Sequence, residues 1–436
     1  MKALYDRLES LIVGMVLAFP LLGTFMPIEI YLQPLTFQSV YSQQRVETYS
    51  FSHIVYLGIA ALSVYLMLLY SRSIKRDVWR GALVLLLIAL AFASEVWSVV
   101  PATTTRRALR LFEISVIAWY LFHKYDTKNL TRFMTRVLAI PVFASFAILV
   151  IRPDLAYSNL QGYQDAIRGA IVSKNALGGL MSVAVLFAGY SFFIRANNRI
   201  FAGTTLFGSL VLVVLSRSAT SKIAVAATLG LALYGWIVRR RTNPGWAIMG
   251  AILTVTGMAA LIFGVIYLED LQKIIGRSST LTGRTDVWRA VLEAIRHRPL
   301  LGYGYGFWDE QSTVRNNIWF ELNWAPPEAH NAWLDARLQL GIVGLSITVM
   351  LWLVAFSRAI RLALFTSETG ALLMALIIVN IFIRGLTETV MIDPDETDWL
   401  WFVIAYLHLA RMAEARTQVR AAAVIVRRAT LRALPW

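Results

Sequence analysis

One polar segment of the sequence, residues 278–345, lies between long apolar runs and holds several arginines and two histidines, of which His330 is well placed. It contains Leu-Thr-Gly-Arg-Thr-Asp-Val-Trp (281–288), Arg-Pro-Leu-Leu-Gly-Tyr-Gly-Tyr-Gly-Phe-Trp (298–308) and Trp-Ala-Pro-Pro-Glu-Ala-His-Asn (324–331). Guanidinium groups bind phosphate oxygens in pairs, and an imidazole exchanges protons near neutral pH. If the flanking runs cross a bilayer, the segment lies at a membrane surface, where lipid-linked substrates are handled.

The elements that position this segment must be embedded in a membrane, because polar residues are too few for a water-soluble protein. Of the 436 residues, 58% are hydrophobic and 15% are charged, and the mean hydropathy is +0.60. The chain has no cysteine, which excludes disulfides and thiolate metal sites. Its five histidines show no metal-binding spacing. We predict an integral membrane protein without a metal or other cofactor.

Apolar runs of about 20 residues predict roughly twelve transmembrane helices in an all-α fold. The first run is expected to be a retained span, since no small-residue cleavage site follows it. No internal repeat or low-complexity linker is visible, so 1–436 is predicted to be a single membrane domain. The spans are expected near residues 9–27, 53–70, 81–100, 106–122, 133–151, 175–194, 200–216, 220–238, 246–268, 336–356, 370–391 and 399–411.

Basic residues set the predicted orientation, because cytoplasmic loops of membrane proteins are enriched in Lys and Arg. Basic clusters at 71–76, at 239–241 and in the tail 412–436 predict that both termini are cytoplasmic. A smaller loop, 152–174, and a long loop, 269–337, then face the other compartment. The net charge of +15 follows from this topology and from attraction to anionic membrane lipids, so nucleic-acid binding is not predicted.

Two local patterns stand out inside the long loop. Apolar residues at helical spacing between 286 and 297 predict a helix that lies along the membrane surface. Gly302, Gly304 and Gly306 alternate with aromatic residues, but no strand-then-helix context surrounds them. The glycines therefore indicate a tight backbone rather than a phosphate cradle.

The ordered motifs resemble those of the O-antigen ligase and polysaccharide polymerase family, and are most like those of exopolysaccharide polymerases. Beyond the long loop, the resemblance includes Ser-Glu-Val-Trp-Ser-Val-Val-Pro (94–101), Ser-Lys-Asn-Ala-Leu-Gly (173–178) and Leu-Ser-Arg-Ser-Ala-Thr-Ser (215–221). One departure is Glu328, where the family motif His-Ala-His-Asn has a histidine. Only His330 can then provide the imidazole of that motif.

This resemblance implies a polyprenyl-dependent glycosyltransferase with a fold of the GT-C type. Such an enzyme performs an inverting, metal-independent transfer of an undecaprenyl-diphosphate-linked glycan at the periplasmic face of the bacterial inner membrane. In a polymerase the acceptor is another lipid-linked repeat unit, whereas in an O-antigen ligase the acceptor is lipid A-core. A chain-length regulator or a flippase would be a protein partner.

The transfer that the resemblance implies needs cations for the diphosphate and a base for the acceptor hydroxyl. Arg217 and Arg284 occupy the family motifs and are the predicted cations. Lys174 and Lys222 are weaker candidates for the same phosphates, because a lysine at the end of a span often only anchors the helix.

His330 is the predicted base, since an imidazole can take a proton from a sugar hydroxyl while the new bond forms. Positioning of the acceptor is the alternative role for this residue. Asn331 and Trp324 are predicted to contact substrate nearby. The tryptophans of this region are expected either to stack on sugar rings or to lie at the bilayer interface. They are Trp288, Trp308, Trp319, Trp324 and Trp333.

Other charged residues have simpler interpretations. Arg384 and Glu388 are four positions apart in one predicted span, so they are expected to neutralise each other, with a role in the substrate cavity as the alternative. The acidic run 393–398 is expected to be a solvated loop. Three arginines near the outer end of a span are expected to anchor it or to attract anionic substrate: Arg106, Arg107 and Arg110.

A transporter of lipid-linked oligosaccharides is the more distant alternative, because transporters also combine many spans with intramembrane charges. No pair of related halves is visible in this sequence. The two classes differ in where Arg and His side chains cluster. A transferase would gather them beneath the long loop, whereas a transporter would gather them at mid-membrane.

Overall fold

The computed structural model describes residues 57–65, 68, 74–158, 165–239, 256–257, 284–365, 369–393 and 397–432. The regular elements in these ranges are helical, apart from one isolated β-bridge between Tyr157 and Ile167. A short 3₁₀-helix, Ser94–Trp97, follows α2. The named helices are α1 (Ile74–Arg80), α2 (Ala82–Ala93), α3 (Pro101–Lys124), α4 (Thr127–Ile151), α5 (Pro153–Ala156), α6 (Lys174–Ile194), α7 (Arg199–Leu215), α8 (Ala219–Arg239), α9 (Arg284–His297), α10 (Thr313–Leu322), α11 (Ala332–Phe365), α12 (Thr369–Gly385) and α13 (Asp398–Arg432).

The described helices confirm an all-α membrane protein but do not test the number of spans. Three of them, α4, α6 and α11, are long and apolar enough to cross a membrane. Shorter apolar helices occupy Ala82–Trp97, Arg199–Leu215, Ala219–Gly235 and Thr369–Gly385. The predicted span near 9–27 lies outside the described residues, as do all but residues 256–257 of 246–268 and eight of the eighteen residues of 53–70. The count of about twelve spans, the domain boundaries and the GT-C type therefore stay predictions.

Large apolar side chains cover the outward faces of several helices. Phe207 and Val214 on α7 are 70% and 60% exposed, and Leu353 on α11 is 64% exposed. Contact with water would be unfavourable for such surfaces, whereas contact with lipid chains would not be. The pattern is typical of a bundle whose periphery faces lipid.

Helices α6 and α12 and the first part of α13, residues 398–410, are largely buried and form the centre of the bundle. Trp352 of α11 packs against Phe382 and Phe402, with ring centroids 5.3 and 5.0 Å apart. Gly179 allows the Arg384 side chain to lie against α6, because a Cβ at position 179 would be 2.0 Å from a guanidinium nitrogen. This dense packing fixes the ends of α6 and α12, which carry polar residues.

The helix predicted in the long loop is confirmed as α9, although it begins two residues earlier, at Arg284. Its buried face packs with residues of the following loop and of α10, including Tyr303, Phe307 and Ile318, in a small hydrophobic core of their own. The N-terminus of α9 is therefore held in place by packing within the loop.

The glycines of segment 302–306 form the tight backbone that was predicted, with φ angles of 68°, 98° and 82°. The segment lies against the start of α3 and the residues before it: the amide of Val99 donates to the carbonyl of Tyr303 over 3.0 Å. A Cβ at Gly304 would lie 2.2 Å from Oγ of Ser98. No larger residue fits at this point without a shift of the backbone.

The same segment is bonded to α11 at a kink. Gly341 has a φ of 65° inside this helix, and its helical geometry is interrupted there. The amides of Tyr303 and Gly304 donate to the carbonyls of Leu338 and Gln339, over 3.0 and 2.9 Å. Carbonyls near the kink of α11 thus accept hydrogen bonds from the loop.

Charged side chains collect at the two ends of the bundle. At one end, here termed the site end, α6, α8, α9 and α11 begin and α12 ends. At the other end, Asp77 of α1 pairs with Arg80 and with His123 of α3, the latter over 3.2 Å. Nη2 of Arg80 lies 2.6 Å from Oε2 of Glu414 in α13. These four residues are termed the opposite-end cluster.

Candidate active site

Three cationic side chains stand in the first turns of three helices at the site end: Lys174 in α6, Lys222 in α8 and Arg284 in α9. The N-terminus of a helix carries partial positive charge, which adds to that of the side chains. Lys174 lies within electrostatic reach of both Lys222 and Arg284. The fold thus concentrates positive charge where the three helices begin.

Glu388 is the buried carboxylate beside these cations. Its Oε1 accepts hydrogen bonds from Nη2 of Arg284 (2.7 Å) and from Nδ2 of Asn175 (3.1 Å). Its Oε2 lies 3.5 Å from Nδ1 of His330. Burial opposes ionisation of Glu388, but the His330 contact and the positive charges of Arg284 and Arg384 lower its pKa below the ordinary value. Glu388 therefore joins α9, α6 and the loop before α11 as an anion.

His330 lies between two carboxylates immediately before α11. Nδ1 is 2.8 Å from Oε1 of Glu328 and 3.5 Å from Oε2 of Glu388. Burial lowers the pKa of the imidazole, but the two carboxylates outweigh this and raise it to about 10. The backbone of His330 is left-handed, with a φ of 50°, a sparsely populated conformation for this residue type. The tertiary structure therefore holds a charged imidazole in a constrained position.

Arg217 lies at the rim of this group. It directly follows the C-cap of α7 and forms an ion pair with Asp165, and both side chains are 57% exposed. An exposed pair of this kind contributes little to stability, so Arg217 can exchange its partner for another anion at small cost. Asp165 is also within electrostatic reach of Lys174, which places Arg217 beside the three helix N-termini.

A family profile described as O-antigen ligase matches residues 204–349 of the chain. The predicted resemblance to this family is confirmed. The matched range includes Arg217, Arg284 and His330. Exopolysaccharide production protein ExoQ of Rhizobium meliloti (strain 1021) is 27% identical over 335 residues, which cover 74% of this chain and 75% of ExoQ. Both comparisons support a polysaccharide-related ligase or polymerase at the level of the family.

The expected pairing of Arg384 with Glu388 is wrong. Helix α12 ends at Gly385, so Glu388 leaves the helical register and turns toward Arg284 and His330. Arg384 instead forms a buried salt bridge with Asp398, the first residue of α13. Spacing alone does not pair residues when a helix ends between them.

The acidic run 393–398 is likewise not simply a solvated loop. Asp398 is 1% exposed and pairs with Arg384, while Asp393 lies 3.2 Å from a guanidinium nitrogen of Arg107. Residues 394–396, including Asp395 and Glu396, lie outside the described residues.

The three arginines of α3 make contacts within the protein. Nε of Arg107 lies 2.7 Å from Oδ2 of Asp309, which ties α3 to the long loop. Arg106 donates to Oγ1 of Thr103 over 2.7 Å, and Arg110 is buried, 4.0 Å from Glu113. These contacts favour the anchoring interpretation over attraction of substrate.

Asn331 caps α11 rather than pointing a free amide at a substrate. Its Oδ1 accepts hydrogen bonds from the amides of Trp333 and Leu334, both over 3.0 Å, and its Nδ2 donates to the carbonyl of Leu386 over 3.1 Å. The cap orients the residue next to His330. A direct contact of Asn331 with substrate stays a prediction.

The tryptophans differ in their surroundings. Trp308 is buried and donates to Oδ1 of Asp335, and Trp333 packs against Trp352 with centroids 6.0 Å apart, so neither stacks on a sugar at the surface. Indole nitrogens of Trp288 and Trp319 donate to backbone carbonyls over 3.0 and 3.1 Å. Trp324 is 43% exposed and remains the candidate for stacking on a sugar.

Glu328, His330 and Glu388 also form a group that could hold a metal ion. Their potential ligand atoms lie within 4.8 Å of one another. Among the described residues, no other group of three or more such side chains lies this close together. Sequence spacing could not show it, because Glu388 follows His330 by a whole helical hairpin. A metal would compete with Arg284 for Glu388 and would require neutral His330. Metal independence therefore stays a prediction.

The sequence reasoning missed two site residues that spacing does not connect. Asn175 bonds Glu388, and Asp165 pairs with Arg217. Asn175 lies in the quoted motif Ser-Lys-Asn-Ala-Leu-Gly, next to Lys174, so the motif itself was a usable signal. No sequence signal marks Asp165. Its position depends on the fold of the smaller loop, in which the amide of Ile167 donates a hydrogen bond to the carbonyl of Leu215.

Proposed function

We propose that this protein is a polysaccharide polymerase of the bacterial inner membrane. It transfers an undecaprenyl-diphosphate-linked glycan onto a sugar hydroxyl of another lipid-linked repeat unit, with inversion at the anomeric carbon. The convergence of Lys174, Lys222 and Arg284 beside His330 at one end of the bundle carries the proposal. An end position suits a substrate whose lipid stays in the bilayer and whose glycan lies outside it.

The leaving diphosphate determines what this site must supply. As the bond between the anomeric carbon and the diphosphate oxygen breaks, negative charge develops on that oxygen, and fixed cations stabilise it. Arg284 is held by Glu388 at the start of α9, and Arg217 exchanges Asp165 for a phosphate oxygen. Lys174 and Lys222 add charge from neighbouring helices. The acceptor hydroxyl loses its proton to a group on the His330 side of the site.

Orientation and partners follow from the proposal. The site end faces the periplasm and both termini are cytoplasmic, which agrees with the basic clusters of the sequence. The donor and the acceptor are both lipid-linked, and their lipids share the bilayer with the apolar periphery of the protein. A chain-length regulator or a flippase acts with the enzyme when the polymer is made in the cell.

One observation favours a polymerase over a ligase, and another favours a transferase over a transporter. The name of ExoQ connects a similar chain with exopolysaccharide production, whereas the description of the family profile supports the O-antigen ligase alternative, in which lipid A-core accepts the glycan. The charged cluster lies at the ends of α6, α8, α9, α11 and α12, which favours a transferase over a transporter.

The proposal is tested with purified protein in liposomes that contain the lipid-linked repeat unit. Wild-type protein should form products with two or more repeats, and Arg284→Ala should form none above background. Transfer to lipid A-core without extension of the repeat would identify a ligase instead. Movement of the lipid-linked glycan across the membrane without any new glycosidic bond would identify a transporter.

Metal independence is tested in the same assay by adding a chelator. Extension should continue within about twofold of the untreated rate, because side-chain cations neutralise the diphosphate. A loss of activity that a divalent cation restores would assign a metal to Glu328, His330 and Glu388.

A further inference from the structure

We propose that Glu328 accepts the proton of the acceptor hydroxyl and that His330 is a positioning residue. This inference rests on the proposed function, since it assigns the proton of that same glycosyl transfer. It begins from the departure at the last motif, where Glu328 stands in place of the expected histidine.

The contacts of His330 leave its imidazole poorly suited to accept a proton. Nδ1 faces an oxygen of Glu328 at 2.8 Å and an oxygen of Glu388 at 3.5 Å, so a proton on Nδ1 is required to avoid repulsion. Two carboxylates beside one imidazole also favour its fully protonated form, in which no nitrogen retains a lone pair. The pKa of about 10 agrees with this geometry.

Of the two carboxylates, Glu388 is the less available base. Both of its oxygens already face donors, namely Arg284 and Asn175 at Oε1 and His330 at Oε2. Only 11% of its side chain is exposed. A proton placed on Glu388 would oppose the salt bridge that holds Arg284 at the start of α9.

Glu328 has the opposite properties. Its side chain is 22% exposed, twice the exposure of Glu388, and its contact with His330 uses Oε1. Within the described part of the chain, the structure shows no second cation paired with this carboxylate. The imidazolium fixes one oxygen of Glu328, which leaves Oε2 able to face an acceptor hydroxyl.

The proposed step conserves atoms and charge. The acceptor oxygen attacks the anomeric carbon while its proton passes to Oε2 of Glu328, and the bond from that carbon to the diphosphate oxygen breaks. The electron pair of the broken bond stays with the lipid diphosphate, which Arg284, Arg217 and the lysines hold. Glu328 then loses the proton to water and is ready for the next transfer.

The first test uses wild-type protein and needs no substitution. Single-turnover extension of the lipid-linked repeat is followed between about pH 6 and pH 9, in which range a carboxylate base is already ionised. We expect a rate that is nearly independent of pH. A rate that rises about tenfold per pH unit toward pH 10 would show that neutral His330 is the base and would overturn the assignment.

The second test compares substitutions at position 328. Glu328→Gln keeps the shape of the side chain but cannot accept the proton, so we expect the single-turnover rate to fall by about 10²-fold or more. Glu328→Asp should recover part of the rate. Glu328→His should recover part of it with a rate that now increases through about pH 6.5, as an imidazole base requires.

Glu321→Gln is the matched control, because Glu321 is an exposed residue of α10 in the same loop. Its rate should equal that of wild type. A Glu328→Gln protein with a rate within about threefold of wild type would also refute the role of Glu328. If wild-type protein itself does not extend the repeat, the proposed polymerase function fails, which is a separate result from either outcome at position 328.

Discussion

The two ends of the bundle combine the same kinds of side chain, yet they are built differently. In the opposite-end cluster, Asp77 contacts Arg80 and His123, and Arg80 reaches Glu414, so cations and carboxylates alternate between α1, α3 and α13. At the site end, cations from three helix N-termini and the left-handed turn at Arg217 outnumber the neighbouring carboxylates.

This difference separates charges that join helices from charges that bind a ligand. A balanced cluster satisfies its members internally and gains nothing from a further ion. An excess of cations at helix N-termini has the opposite property, because an added anion relieves the repulsion among them. The site end is therefore expected to lose activity when its cations are removed, and the opposite end is expected to lose stability.

The largest effect should come from removing Arg284. Arg284→Ala deletes a cation for the leaving diphosphate and leaves Glu388 with fewer partners, so kcat/KM should fall by about 10³-fold. Arg80→Ala in the opposite-end cluster should lower the melting temperature while activity per folded molecule stays within about threefold. Equal losses of activity in the two variants would break the distinction between the ends.

The salt bridge between Arg384 and Asp398 lies at the site end. Like the opposite-end cluster, however, it pairs each positive charge with a negative charge. Arg384→Met would leave the carboxylate of Asp398 buried without a partner, which costs about 3–5 kcal/mol of folding free energy. The double variant Arg384→Met/Asp398→Leu should recover most of that loss in a denaturation experiment in detergent. A double variant as unstable as the single one would indicate that Arg384 stabilises the fold through other contacts.

A smaller effect on activity is expected from Lys222→Met. The loss of one charged hydrogen bond to the diphosphate corresponds to about 1.5–3 kcal/mol, or roughly a 10- to 100-fold fall in kcat/KM. Lys128→Met, which removes an exposed lysine from the first turn of α4, should leave the rate unchanged. The same fall in both variants would mean that general attraction of the anionic substrate, not a local contact, sets the rate.

The last effect is a pH-dependent difference in stability between wild type and His330→Gln. Glu328 and Glu388 raise the pKa of His330 to about 10. The charged imidazole therefore stabilises the folded protein fully below about pH 6.5, which is its ordinary pKa. That contribution is lost as the pH rises through about 10. Melting curves should therefore show a gap at pH 6.5 that closes near pH 10. A constant gap would argue against a charged imidazole in the folded protein.

Much of this architecture could be predicted from composition and local pattern. Apolar runs located α6 within one residue and α4 within six residues at its start, because membrane helices satisfy their backbone within the segment. Motifs located Arg284, His330 and Arg217, although they did not show which carboxylates those residues would contact.

The partners could not be predicted because they depend on where helices end and how they pack. Glu388 appeared to continue the helix of Arg384, and the end of α12 at Gly385 sends the two side chains to different partners. Likewise, the charge of His330 depends on Glu328 and, in part, on Glu388, a carboxylate that is 58 positions away in the sequence. Long-range pairs of this kind carry no periodic signal.

The bonds between the glycine segment and the kink of α11 have a mechanical consequence. The segment that follows α9 donates its amides to Leu338 and Gln339, so the helix that begins with Arg284 and the helix that follows His330 are coupled through a shared set of hydrogen bonds. Because the same segment is also bonded to the residues before α3, Arg284 and His330 should keep a fixed separation throughout turnover.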